Sequence, residues 1–169
     1  MPVRICKESR IDGDLFNAPE EVKVVTINCV GAMGKGVAES AKAMYPELYA
    51  RYRALCKNNA QHLNYVWDWT SDNGKTIIMF PTKDHFKDPA IVDVIIDNIS
   101  ILKNLCIEKG YKSVACTGFG MGNGWLKPEQ YCKIIDVFIK TFKDTDIDIK
   151  MYVKENVLYN FKRSLRHML

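Results

Sequence analysis

The sequence predicts an α/β fold, a three-layer α/β/α sandwich around a mixed, mostly parallel central sheet. Short β-branched segments alternate with longer segments whose apolar residues recur at helical spacing. A strand, a glycine-rich loop and a helix follow one another in that order twice, which is the usual connection between parallel strands. Residues 71–74 end in Asn-Gly between two strand-like segments and predict an antiparallel hairpin, so the sheet is mixed.

The composition fits one ordinary globular domain. The chain has 169 residues, of which 47% are hydrophobic and 26% are charged, and we expect a single domain over residues 1–169. The longest apolar run, residues 77–80, is far shorter than the roughly 20 residues of a membrane span, and the start of the chain lacks the apolar core of a signal peptide. We therefore expect a cytoplasmic protein without a membrane partner, and we expect a monomer.

The cysteine spacing limits the kinds of metal or redox site that the chain can form, and the net charge indicates which ligands it attracts. The six cysteines include no C-x-x-C pair, which excludes a zinc knuckle and a thioredoxin-type redox pair. We expect buried thiols in a reducing compartment, with neither a metal nor a cofactor. The net charge of +4 favours an anionic ligand but is too small to indicate nucleic-acid binding by itself.

The first half of the chain predicts a strand, loop and helix unit followed by the hairpin. Residues 22–28 are β-branched and predict a strand, and residues 31–36 predict a glycine loop. Two helices follow, divided at Pro46. Their apolar faces are formed by Val37, Ala41, Met44, Leu48, Tyr52 and Leu55. Residues 64–69 and 76–80 predict the hairpin strands.

The second half repeats the unit. Asp88 as N-cap and Pro89 as the first helical residue predict the start of a long helix that Gly110 ends. Residues 113–117 predict a strand and residues 118–124 a second glycine loop. The remaining elements are a helix over residues 128–142, a strand over 147–153 and a helix over 155–168. The last helix has an apolar stripe of Leu158, Phe161, Leu165 and Met168.

The two glycine loops are expected to face each other. Each follows a strand and precedes a helix, so in a parallel sheet both open at the same edge, where ligands of α/β sheets bind. Backbone N–H groups and helix N-termini in such loops suit a diphosphate, although each loop alone could equally be a tight turn. Neither loop has the spacing of a Walker ATPase or of a dinucleotide dehydrogenase.

Four stretches, spread over nearly the whole chain, share a pattern with a known family. They are G-D-L at residues 13–15, N-C-V-G-A-M-G-K-G-V-A at 28–38, F-P-T-K-D-H-F at 80–86, and residues 118–126. Together they resemble the macro domain family, the ADP-ribose-binding module. The resemblance is strongest to the branch with the antitoxin-type DNA ADP-ribosyl glycohydrolases (DarG) and the ADP-ribose-1''-phosphate phosphatases.

The resemblance implies a set of ligand-binding residues. Asp14 would accept a hydrogen bond from the adenine amino group beside Leu15, and Asn28 would hold the distal ribose. Tyr152 would stack on adenine, the alternative being an inward-facing core tyrosine. For Asp14 a turn or capping role, and for Asn28 an Asx-turn, are the structural alternatives. The rest of the implied site is formed by Gly34, Lys35, Gly36, Val37, Thr82, Gly118, Phe119, Gly120, Met121, Gly122, Asn123, Gly124 and Trp125.

The resemblance also implies hydrolysis at C1'' of the distal ribose, with Lys83 as the central catalytic residue. A lysine needs a lowered pKa to act as a nucleophile, and the alternative for Lys83 is an ordinary surface lysine. Asn28 and His85 complete the expected catalytic set, and His85 would be a general acid or base or a phosphate contact.

Three departures from the family pattern keep other functions open. Ala38 and Gly124 stand where hydrolases of the family carry aspartates, and Val25 replaces an asparagine. The resemblance implies ADP-ribose on a modified nucleic acid or protein as the substrate. Because of the departures, an ADP-ribose-1''-phosphate phosphatase and a non-catalytic ADP-ribose reader remain alternatives. The basic segment over residues 162–167 is expected to be a solvated helix face, and a DNA contact is the alternative.

Overall fold

A computed structural model describes residues 3–8, 15–122 and 125–168. The strands are β1 (Val3–Lys7), β2 (Val22–Ile27), β3 (Trp67–Thr70), β4 (Thr76–Pro81), β5 (Ser113–Thr117) and β6 (Asp148–Val153). The helices are α1 (Gly36–Met44), α2 (Pro46–Lys57), α3 (Val92–Lys109), α4 (Pro128–Phe142) and α5 (Glu155–Met168), with a short 3₁₀ helix at Leu15–Asn17.

The strands form one sheet in the order β1-β6-β5-β2-β4-β3. The β3–β4 pair is antiparallel, and the other neighbouring pairs are parallel. This confirms the predicted mixed sheet and its hairpin. Because β2 lies between β5 and β4, the loops that follow these three strands lie side by side at one edge of the sheet.

Both faces of the sheet are covered, which confirms the three layers. Alternate residues of β2 enter two separate apolar clusters, Val24 in one and Val25 in the other. The first cluster is closed by α3, α4 and α5, and the second by α1, α2 and the 3₁₀ helix. The central strands β4 and β5 are buried along most of their length, and they read in the sequence as nearly continuous apolar runs.

Two predicted boundaries and part of one predicted apolar stripe were wrong. The long helix α3 begins at Val92 rather than Pro89, because Ile91 is extended and donates its N–H to Thr82 O at 2.8 Å. Strand β3 begins at Trp67 rather than at residue 64, since the Asn64 side chain bonds Asn98 of α3. In α5 the buried stripe holds Val157 and Phe161, whereas Leu165 is 41% exposed; the side chain of Met168 lies outside the described part.

The six cysteines are free, and burial raises the pKa of each thiol. Only Cys106 and Cys116 are fully buried, whereas the sequence predicted buried thiols throughout. Raised pKa values keep these groups as unreactive thiols at neutral pH. Within the described ranges, no helix is both long and apolar enough to cross a membrane.

Candidate functional site

A cleft of about 960 Å³ opens at the edge of the sheet where β2, β4, β5 and β6 end. Both glycine loops line it, which confirms that they share one edge, and its volume is that of a small-molecule site. The predicted residues that line it are Asn28, Gly34, Lys35, Gly36, Val37, Thr82, Lys83, Gly118, Gly120, Met121, Gly122, Trp125 and Tyr152. Asp14, Asn123 and Gly124 lie outside the described residues.

Leu15 and Phe119 do not line the cleft, contrary to the prediction. The Phe119 ring is fully buried and stacks on Phe80 at a centroid distance of 4.2 Å, because the loop turns this side chain into the core. Leu15 is 1% exposed and belongs to the apolar cluster under the 3₁₀ helix. Both side chains support the site through packing and leave the cleft surface to other residues.

Asn28 organises the first glycine loop. Its Oδ1 accepts hydrogen bonds from the N–H groups of Val30 (3.0 Å) and Ala32 (3.3 Å), and its Nδ2 donates to Ala32 O at 2.9 Å. The hydroxyl of Tyr52, in α2, lies 2.8 Å from the backbone O of Asn28 and 2.7 Å from its Oδ1, and it donates to these two acceptors. The Asx-turn alternative is thus present, and the second hydrogen of Nδ2 takes no part in these bonds.

Removing the Tyr52 hydroxyl is expected to loosen the first loop. Tyr52 is fully buried, so Tyr52→Phe leaves buried acceptors on Asn28 with fewer donors, at a cost of about 2 kcal/mol in the free energy of unfolding. Affinity for the ligand should fall several-fold because the loop loses its anchor. Thermal unfolding and calorimetry measure the two effects. The control is Tyr159→Phe on the exposed face of α5; equal behaviour of the two variants would contradict this role of Tyr52.

The first turn of α1 points backbone donors at the cleft. Lys35 precedes the helix in an extended conformation and gives no side-chain cap, and Gly36, Val37 and Ala38 line the cleft. The N–H groups of a first helical turn have no intrahelical acceptor, and the helix dipole adds partial positive charge. This end of α1 is therefore suited to an anionic group.

The second loop requires glycine at position 120. Gly120 has φ +73°, and a Cβ there would lie 2.7 Å from Ala90 Cβ and 2.9 Å from Leu126 Cδ1. A side chain at this position would have to push apart the loop and the segment before α3. Gly120 thus lets the second loop pack closely enough to form its side of the cleft.

Lys83 lies at the β4 end of the cleft and is only 8% exposed. Its Nζ donates to Phe86 O at 3.5 Å and lies 5.0 Å from the centroid of the Trp125 ring. Burial lowers the pKa of Lys83; Asp88 opposes this effect and Lys35 adds to it. The surface-lysine alternative is therefore excluded, and the amine is held in the setting that a nucleophilic lysine requires.

His85 is not brought into the cleft. Its ring stacks on Phe86 at a centroid distance of 4.4 Å, and its Nδ1 accepts the N–H of Lys87 at 3.1 Å. Among the described residues, it does not appear in the lining of the cleft. The predicted catalytic role of His85 thus has no support from the geometry.

Tyr152 lies at the β6 end, opposite Lys83. Its hydroxyl donates to Glu20 Oε1 at 3.0 Å, and Lys150 Nζ lies 3.1 Å from the same oxygen. Burial raises the pKa of Glu20, but hydrogen bonds from Lys150, its own backbone and Tyr152 outweigh burial and lower it. The tyrosine ring is therefore fixed at its outer end by a charged pair, with part of the ring lining the cleft.

Sequence reasoning missed twelve of the residues that line the cleft, among them Phe86, Lys87 and Lys154. Phe86 is 47% exposed at the mouth near Lys83. Lys154 follows β6, so the rule that ligands bind beyond the carboxyl ends of strands could have found it. With Lys35 and Lys83, the described lining holds four lysines against one carboxylate, Glu8, which favours a ligand with negative charge.

The cleft is elongated along the edge of the sheet. From β6 to β4 it crosses three inter-strand spacings, about 14 Å. Tyr152 lies towards one end and Lys83 towards the other, with the two glycine loops between them.

Two amide-lined loops at one edge of a mostly parallel sheet are the architecture of a nucleotide-binding α/β domain. Comparison with known proteins gives the family, although no family model matches the chain. The macrodomain of Mycobacterium tuberculosis DarG is 33% identical and superimposes with a TM-score of 0.76, over 88% of this chain and 96% of that one. The chain belongs to the macrodomain family.

Two curated relatives are enzymes by name. The DNA ADP-ribosyl glycohydrolase of Mycobacterium tuberculosis is 37% identical over 150 residues, which are 83% of this chain and 40% of that protein. The ADP-ribose 1''-phosphate phosphatase of Aspergillus fumigatus is 38% identical over 63 residues, which are 37% of this chain and 32% of that protein. The chain thus spans less than half the length of these relatives.

Proposed function

We propose that the chain binds ADP-ribose along the cleft and hydrolyses the bond between C1'' of the distal ribose and a modified nucleic acid. The observation that supports this most is the buried amine of Lys83 at one end of a cleft about 14 Å long. The relatives named as DNA ADP-ribosyl glycohydrolases support the same reaction.

The lining of the cleft supports one direction for the ligand. The adenine lies at the β6 end beside Tyr152, and the diphosphate lies between the first turn of α1 and the loop at Gly120, near Lys35. The distal ribose then lies at the β4 end, where Asn28 has an amide hydrogen for a sugar hydroxyl. This direction brings C1'' to Lys83.

Lys83 acts as the nucleophile. Its neutral amine adds to C1'' while the bond between C1'' and the target breaks, and the target leaves with the bonding electrons and gains a proton from solvent. Water then adds to C1'' and displaces the lysine, so the net reaction is hydrolysis and the amine is restored. Burial lowers the pKa of Lys83, which increases the fraction of the amine that is neutral.

The surroundings of Lys83 favour a nucleobase as the leaving group. Two exposed aromatic rings line the cleft together with Lys83, Phe86 at 47% and Trp125 at 61% exposed. Base–aromatic stacking contributes about 1–3 kcal/mol per base. A phosphate leaving group would gain nothing from these rings, and His85, the predicted phosphate contact, stacks on Phe86 and is not among the described residues that line the cleft.

The test is a comparison of three substrates. The protein is incubated with a single-stranded DNA carrying an ADP-ribosylated base, with an ADP-ribosylated protein and with ADP-ribose-1''-phosphate, and released ADP-ribose or phosphate is measured. We expect release from the DNA at the highest kcat/KM. Phosphate release alone would make the chain a phosphatase, and calorimetric binding of ADP-ribose without turnover of any substrate would make it a reader.

A further inference from the structure

A second groove lies on the other side of the first glycine loop. It has a volume of about 520 Å³ and runs between the loop and the exposed face of α2. We call it the α2 groove and define it by Val30, Gly31, Tyr49, Arg53 and Lys57. None of the residues that line it also lines the cleft.

The α2 groove is next to the reactive end of the cleft. Ala32 lines the cleft and Gly31 lines the groove, so one peptide bond separates them. The N–H of Cys29 donates to Asp84 O at 2.8 Å, which joins this loop to the residue that follows Lys83. A nucleic-acid strand that is attached at C1'' beside Lys83 and runs over the first glycine loop would therefore reach the α2 groove.

The α2 groove has the chemistry of a single-strand binding surface. Two cations lie near the Tyr49 ring, with Lys42 Nζ at 4.6 Å and Arg53 Cζ at 5.7 Å from its centroid. Residues 35–57 contain five basic and two acidic side chains, and Arg53 and Lys57 are exposed. Basic side chains interleaved with an aromatic ring bind a phosphodiester backbone and stack its bases.

We infer that the α2 groove binds the nucleic-acid strand that flanks the ADP-ribosylated base, with Arg53 and Lys57 on backbone phosphates and Tyr49 against a base. This inference rests on the proposed function, since it supplies a place for the rest of that substrate. An ADP-ribosylated protein has no regular row of phosphates and would gain little here. The basic face of α5 is not part of this path, because α5 covers the opposite face of the sheet.

The experiment compares two double variants of the full chain. Arg53→Gln with Lys57→Gln removes two cations from the groove, and Arg163→Gln with Arg166→Gln removes two from α5 as a matched control. Binding to an unmodified single-stranded oligodeoxynucleotide is measured against salt. We expect the slope of log affinity against log salt to fall by about 1.4 in the groove variant, for two lost phosphate contacts, and to be unchanged in the control.

Turnover gives the second readout. The groove variant should show a KM about tenfold higher for an ADP-ribosylated oligonucleotide, with no change for an ADP-ribosylated mononucleotide or in calorimetric affinity for ADP-ribose. The pair Arg53→Lys with Lys57→Arg keeps the charge and should behave as the wild type. Equal losses in the groove and α5 variants, or an unchanged KM in the groove variant, would overturn the inference. Absence of wild-type turnover on every substrate would instead refute the proposed function.

Discussion

Lys83→Ala is expected to lower kcat for release of ADP-ribose from modified DNA by roughly a thousandfold, while ADP-ribose still binds. The amine is the reactive group in the proposed mechanism, in which backbone amides of the two loops hold the diphosphate. Single-turnover kinetics measure the first effect and calorimetry the second. A variant that retains wild-type kcat would remove Lys83 from the mechanism.

Two controls separate chemistry from charge. Lys83→Arg keeps a cation but has no neutral amine at neutral pH, so it should be as inactive as Lys83→Ala. The adduct on residue 83 of the wild type is a ribosylamine; when its ring opens, the C1''–O4'' bond breaks, a proton moves from nitrogen to O4'' and a C1''=N bond forms. Reduction of this imine during turnover should trap a stable adduct, detectable by mass spectrometry of peptides. An active Lys83→Arg variant would show that only positive charge is required.

The dependence of kcat on pH tests the direction in which the pKa of Lys83 is shifted. Because the neutral amine reacts, kcat should rise with pH through the lowered pKa of Lys83 and level off above it. Asp88 raises this pKa, so Asp88→Asn should move the rising limb to lower pH. Lys35 lowers it, so Lys35→Gln should move the limb to higher pH. Shifts in the opposite directions would contradict the assignment of the limb to Lys83.

Gly120→Ala is expected to weaken ADP-ribose binding by at least about tenfold and to destabilise the fold by more than about 2 kcal/mol. The new methyl group would lie 2.7 Å from Ala90 Cβ at a left-handed φ of +73°. Both backbone strain and collision push the second loop away from α3 and open the cleft. Calorimetry and chemical denaturation measure the two effects.

Gly110→Ala is the matched control for that variant. Gly110 also has φ +73°, but a Cβ there meets nothing within 4 Å and the residue ends α3 away from the cleft. It should therefore show the strain alone, about 1 kcal/mol, with ADP-ribose affinity unchanged. If both variants lose affinity equally, close packing at position 120 is not what shapes the second loop.

Patterns along the chain were sufficient for the layers and for the location of the cleft. Parallel strands bring loops that follow them to one edge, so residues 31–36 and 118–124 could be placed together before any coordinates. Local signals failed where a distant contact decided the outcome. The Asp88-Pro89 pair is a sound helix start by itself, but the bond from Ile91 to Thr82 O keeps this segment extended.

The positions of the loops that form the candidate site could be predicted from the sequence, whereas the burial and contacts of its side chains could not. Lys83 was recognised from its motif, but its burial and the Trp125 ring beside it depend on how two loops pack. Phe119 looked like Trp125 in the sequence, as an aromatic residue among glycines, yet one ring is buried and the other is 61% exposed. Tyr52 is separated from Asn28 by 24 positions, and only the tertiary structure reveals that bond.

The ten residues from Thr82 to Ile91 form a closed loop, because the N–H of Ile91 donates to Thr82 O. The first residue of the loop is also bonded to β2, since the N–H of Thr82 donates to Ile27 O at 3.0 Å. This loop contains the amine and one mouth aromatic, whereas in the proposed function the diphosphate contacts belong to other segments. Changes inside the loop are therefore expected to alter which leaving group is accepted without disturbing how the nucleotide is held. On that function, target choice and nucleotide affinity are separable properties of this fold, open to independent change by evolution or by design.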